Sequence, residues 1–197
     1  MPSSLRVDDI KNSAGTAVLV NGYPRQPGQI IEYLSSPCDG SSVTVGSGTY
    51  TFQNVTGVQT GTDSYVDITG SSLAYTPPTG TTRVKYIFEY NWYWPSGTHC
   101  ISHHKFFIDA AEVVYARHSR SGFYPEGRFA FEWTVAIGGN ADANTGRQAT
   151  WTSAKTLKMQ FRRYASGNPI SVHGTTYWDG GGGVQLGIPV LTIIAIA

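Results

Sequence analysis

Charge is scarce in this chain. Only 14% of its 197 residues are Asp, Glu, Lys or Arg, where an ordinary soluble domain carries ~25%. The net charge is +1 and no basic run exceeds the pair Arg162-Arg163. Phosphate binding needs clustered Lys and Arg, so nucleic acid is excluded as a main partner. Cysteine is scarcer still. Cys38 and Cys100 have no metal-ligand spacing, and a chain of this length needs no disulfide staple, so both read as free thiols unless the fold brings them close enough to pair. Long apolar runs are missing as well. Met1-Pro-Ser-Ser-Leu-Arg6 lacks the apolar stretch of a secretory leader, and the apolar tail from Leu186 is too short to cross a bilayer and contains Pro189. The expectation is synthesis in a cytoplasm, no membrane insertion, and a soluble chain until it assembles. No segment keeps a 3.6-residue apolar period, so no helix is predicted, and no repeat of 20–50 residues is visible.

What the sequence does have is 13% aromatic residues, 23 glycines and much Ser and Thr, an all-β composition. Three stretches alternate apolar and polar residues, the mark of a strand with one dry face. Thr82–Trp92 puts Val84, Tyr86, Phe88, Tyr90 and Trp92 on one side. Arg128–Ile137 does so with Phe129, Phe131, Trp133, Val135 and Ile137, and Lys155–Tyr164 with Leu157, Met159 and Phe161. Ile101–Ile108 and Glu112–Arg117 flank Asp109-Ala-Ala111 as in a hairpin, while Ser35–Gly48 and His118–Gly127 read as loops. Residues 1–28 hold two short strands and then the breakers Asn21-Gly22, Pro24 and Pro27-Gly28, so they are predicted to form an arm. Residues 29–197 are predicted to form one antiparallel β-sandwich head, jelly-roll-like, of about ten strands.

The tail Ile188–Ala197 does not alternate, and a strand apolar on both faces must be covered on both. With Ile194 and Ile196 assigned to the inner face, Leu191, Ile193 and Ala195 fall on the other and predict a homo-oligomer contact. Candidate chemistry is thin. His99-Cys-Ile-Ser-His-His104 gathers three imidazoles and a thiol, but His103 and His104 face apart on a strand and His99 and His103 sit roughly 13 Å apart. No metal site and no cofactor is predicted. Glu89, Glu132, Asp8, Asp9 and Asp142 fall on polar faces or turns with nothing to make them converge. Gly180–Gly183 lacks the Lys-Ser/Thr of a phosphate loop. Trp92, Tyr93, Trp94, Tyr177 and Trp178 are the predicted ligand or host contacts, since aromatics at strand ends stack on sugar rings or anchor interfaces.

Short motifs in a fixed order run through nearly the whole chain. They are Leu5-Arg-Val-Asp-Asp-Ile10 with Ala14-Gly-Thr16, Gly28-Gln-Ile-Ile-Glu32, Cys38-Asp-Gly40, Gly48-Thr-Tyr-Thr-Phe52, Tyr75-Thr-Pro-Pro-Thr-Gly-Thr81, Phe106-Phe-Ile-Asp109, Thr176-Tyr-Trp-Asp179 and the closing Ile193-Ile-Ala-Ile196. In this the chain resembles fibre-like structural and decoration proteins of marine tailed bacteriophages, such as cyanophages. The resemblance implies a virion component: a tail or head fibre, a knob or a capsid decoration. It carries no catalytic residues. It favours a trimer over a dimer, an arm that binds other virion proteins, and a head that meets a host surface glycan. A carbohydrate-binding module or lectin is the alternative reading, and a small β-sheet hydrolase the third.

Overall fold

The computed structural model describes residues 26–95, 99–123, 126–176 and 183–197, and the backbone of 19–20 and 23–24. The expected arm therefore lies largely outside the described residues. Nine strands build the head: β1 (Ile30–Pro37), β2 (Ser42–Val45), β3 (Gly48–Thr51), β4 (Arg83–Tyr93), β5 (Cys100–Ile108), β6 (His118–Gly122), β7 (Glu126–Ala136), β8 (Lys155–Arg163) and β9 (Val190–Ile196). Shorter strands and one 3-10 turn, Val114–Ala116, fill the connections. Among the described residues these strands pair antiparallel throughout, and the one parallel bridge, Ile137 with Gln148, lies outside them.

The first sheet runs β1-β9-β4-β7, with Ser171–Val172 continuing past β9 along the end of β4. The second is built on β5, with β8 on one side and β6 and Ala111–Glu112 on the other. The alternation read in the sequence fixes which faces meet. Val84, Tyr86, Phe88 and Tyr90 of β4 are fully buried, as are Phe106 of β5 and Leu157, Met159 and Phe161 of β8. Tyr86 and Phe106 meet ring to ring across the sandwich at 4.9 Å, and Phe106 meets Phe131 at 5.5 Å. The all-β sandwich is thus the fold that the composition and the period-2 pattern implied.

The tail strand corrects the inward assignment. In β9 it is Leu191, Ile193 and Ala195 that are 0% exposed, opposite Phe88, Tyr86 and Val84 of β4 and Ser36, Leu34 and Glu32 of β1. They are core residues of their own chain, so the predicted oligomer contact at Leu191, Ile193 and Ala195 does not hold. β9 lies between two neighbours rather than at an edge, and with both of its faces apolar nothing in the residue pattern marks which one meets the core. Its outer face carries Val190, Thr192, Ile194 and Ile196, next to Tyr33 on β1, itself 59% exposed.

Two expected loops are partly strand. Ser35–Pro37 belongs to β1, and Ser42–Val45 pairs with Gly48–Thr51 around the two-residue turn Gly46-Ser47. The hairpin is tied down by Glu32, which is 7% exposed. Its carboxylate accepts hydrogen bonds from the Ser47 amide (2.8 Å), the Ser47 hydroxyl (2.7 Å) and the Tyr75 hydroxyl (2.7 Å). A buried charge is tolerable only when satisfied in this way. The second loop, His118–Gly127, contains β6, which pairs with β5 from Cys100↔Gly122 to His104↔His118. The expected hairpin at Asp109 is present but its return strand is only Ala111–Glu112. Asp109 supplies the turn with φ 56.

Candidate functional site

β6 and β7 are the edge strands of the two sheets on the same side of the sandwich, and they do not pair with each other. A cleft of about 750 Å³ opens between them. Its floor follows from the registers. On the inner face of β5 and β6 the cross-strand pairs are Ser102 with Arg120 and His104 with His118. The second sheet therefore turns polar at this end. Against it stand the aromatics of the first sheet, Trp92 and Tyr90 of β4 and Phe129 and Phe131 of β7.

Arg120 is the centre of the arrangement. Its guanidinium lies over the Phe129 ring at 3.4 Å from the centroid and beside Trp92 at 5.7 Å, a favourable placement of a cation on π faces. Burial pulls its pKa down, with the Tyr90 hydroxyl working against that. A guanidinium nonetheless stays charged. Among the described residues Arg120 has no carboxylate partner. A guanidinium stacked by its face keeps the N–H groups of its edge available for in-plane bonding.

The histidines are neutral neighbours. His104 and His118 stack at 4.6 Å with an interplanar angle of 8°. Burial lowers the pKa of both, and each cation would further oppose the other or Arg120. His118 Nδ1 is 3.3 Å from the Ala116 carbonyl. A carbonyl only accepts, so Nδ1 carries the proton and Nε2 is left as a lone pair. That Nε2 is buried without a partner among the described residues, and so is the indole N–H of Trp92. Among the described residues the cleft thus brings together one unpaired cation, Arg120, one unspent donor and one unspent acceptor, while the second guanidinium of its lining, Arg117, is paired with Glu112.

Ser102 Oγ is 2.9 Å from His104 Nε2, the reach of a nucleophile and its base. Ser102 is 0% exposed and His104 1%, and His104 Nδ1 is held by the Tyr90 hydroxyl at 3.1 Å. No substrate reaches this pair, and its bonds satisfy a polar patch inside the core. Cys100 is also sealed, and burial raises its thiol to about 11. His103 points away from His104 and meets Tyr164 edge-on at 5.8 Å, while His99 lies by Phe123. The three imidazoles of that motif do not converge.

Of the predicted contact aromatics, Trp92 lines the cleft but is only 5% exposed. Tyr93 is 3% exposed and packs on Gly174, where an added Cβ would sit 2.6 Å from its ring. Neither offers an open ring, so a surface stacking platform at Trp92 and Tyr93 does not hold. Both end a strand whose last turns are still covered by β7 and Ser171–Val172. Trp94 packs partly buried against the core. Tyr177 and Trp178 lie outside the described residues. Reading the sequence missed His118 and Arg120. The signal was there as an alternation, His118, Arg120 and Gly122 against Ser119 and Ser121, but in polar residues, which look like loop.

No protein-family model matches the chain and no curated protein does. Among solved structures, that of the Gx strain of infectious bursal disease virus is similar with a TM-score of 0.38 and 9% identity, over 100% of this chain and 50% of that one. The VP2 subviral particle of the same virus is similar with a TM-score of 0.35 and 8% identity, over 100% of this chain and 46% of that one. The chain spans about half the length of these structures.

Proposed function

We propose that the chain is a non-enzymatic structural component of a virion, displayed on the particle surface as a fibre, knob or decoration. The observation that carries this reading is the ordered run of short motifs, from Leu5 to Ile196, that resembles fibre-like phage proteins. The chemistry of the head supports it. Glu32 is enclosed by hydrogen bonds, Glu112 is held between Lys105 and Arg117, and burial raises both thiols, Cys38 to about 12. Residues 1–28 attach the head to other virion proteins and residues 29–197 project. The chain is made in the host cytoplasm and assembles as a homo-oligomer, with a trimer favoured by the fibre resemblance. The surface suited to a second copy is the outer face of β1 and β9, with Tyr33 and Ile194, because the outer face of β4 and β7 is crossed by the ion pairs Lys85–Glu132 and Arg128–Glu89. Antibody against the head should label intact particles. Labelling only of disrupted particles, or of the unassembled fraction, would contradict surface display.

A second reading, a carbohydrate-binding head, is supported by the β6–β7 cleft, whose unspent polar groups stand among aromatic rings. It is compatible with the first, since a displayed head can also bind host glycan.

A further inference from the structure

From the cleft we infer that the head binds an acidic carbohydrate, a sugar bearing a carboxylate, with Arg120 as the group that recognises the charge. The inference narrows the carbohydrate-binding reading to one site and one ligand class, and rests on it.

Three unsatisfied requirements meet in one place. Arg120 is a half-buried cation with no carboxylate partner among the described residues, and its stacked face leaves its N–H edge to meet a ligand. A partly desolvated guanidinium gains most from a bidentate anion of matching planar geometry, which a carboxylate is. The Trp92 indole N–H wants an acceptor, and the residue is 5% exposed. The His118 Nε2 lone pair wants a donor. Buried polar groups without partners are rare in folded proteins and call for an explanation. A carboxylate alone satisfies only the first two, since it cannot donate. A sugar hydroxyl both donates and accepts, so a ring carrying hydroxyls and a carboxylate answers all three. Trp133, at the same cleft, is held in place by its indole bond to the Thr145 carbonyl at 3.0 Å. A fixed aromatic wall of this kind suits the C–H face of a sugar. Glu132 on the rim is drawn off by Lys85 at 2.7 Å, which lessens its repulsion of an anion. The cleft is open rather than enclosed, so it admits an internal residue of a chain as readily as an end.

The test is saturation-transfer NMR and calorimetry on the full chain with four probes: trigalacturonate, N-acetylneuraminic acid, neutral maltotriose and a poly-glutamate peptide. At least one of the two acidic sugars should bind, more weakly as salt is raised, and maltotriose should bind less well. Arg120→Gln should weaken acidic-sugar binding by tenfold or more, about the scale of a lost charged hydrogen bond. Arg120→Lys keeps the charge without the fork and should fall between. Arg83→Gln, at the opposite end of β4, should bind as wild type. Thermal melts verify that each variant is folded, and Arg120→Lys stands in if Arg120→Gln is not. Acidic sugar bound equally by wild type and by folded Arg120 variants would overturn the site. Binding of maltotriose alone would overturn the acidic class and leave the carbohydrate reading standing. Binding of none of the sugars would overturn both. Binding of the peptide with no sugar would give the cleft to an acidic protein segment instead.

Discussion

Single residues decide the stability of the head through two kinds of burial, apolar and polar. Phe131 is 6% exposed and meets Phe106 at 5.5 Å and Tyr86 at 6.1 Å, so Phe131→Ala should cost about 3–5 kcal/mol in urea denaturation. A cost under ~1 kcal/mol would mean that this face is not core. Polar burial gives a pH dependence. His173 is 0% exposed, and burial pushes its pKa down to about 4, with the Thr69 backbone acting in the opposite direction. The unfolded imidazole titrates near 6.5, so between roughly pH 6.5 and 4 the unfolded chain binds the proton and the folded chain does not. Stability is therefore complete above pH 6.5 and falls as the pH drops toward 4, by on the order of 3 kcal/mol for this group alone. His104 is displaced in the same direction and adds to the slope. His173 sits at φ 70, a conformation Asn tolerates, so His173→Asn should flatten the decline between pH 7 and pH 5. An unchanged slope would assign it to other groups.

Elements were legible in the sequence where one face was dry. β4, β7 and β8 announced themselves by period two, down to the residues that face the core. β6 did not, because its inward residues are His118 and Arg120 and polar alternation carries no hydrophobic signal. The candidate site lies in that gap: a strand that puts a cation and an imidazole inside reads as a loop. β9 failed for the opposite reason, since apolar residues on both faces leave the inward one undetermined. The structure makes the two faces separable by experiment. Ile193→Glu places a charge at a position 0% exposed and should unfold the head, seen as loss of the cooperative melt. Ile194→Glu, on the outer face beside Tyr33, should leave the melt intact and lower the molar mass measured by light scattering, if that face joins copies. An oligomer whose mass is indifferent to Ile194→Glu and Tyr33→Glu is joined elsewhere.

At the scale of the whole molecule the head and arm should be separable. The head closes on itself where its ends meet: the Gly28 amide donates to the Ala197 carbonyl and the Ala197 amide to the Gln29 carbonyl, both at 2.9 Å. Gly28 is thus already part of the head's hydrogen bonding, so the deletion that tests the arm is residues 1–25. That shortened chain should keep the wild-type melt and lose incorporation into particles. Normal incorporation would make the head itself the attachment surface. The central claim, that this is a virion structural protein, is tested most directly by counting it. Quantitative mass spectrometry of salt-washed, gradient-purified particles should find the full chain at a fixed copy number per particle, a multiple of its oligomer in solution. A chain that stays at the top of the gradient, absent from the particle band, would contradict the account.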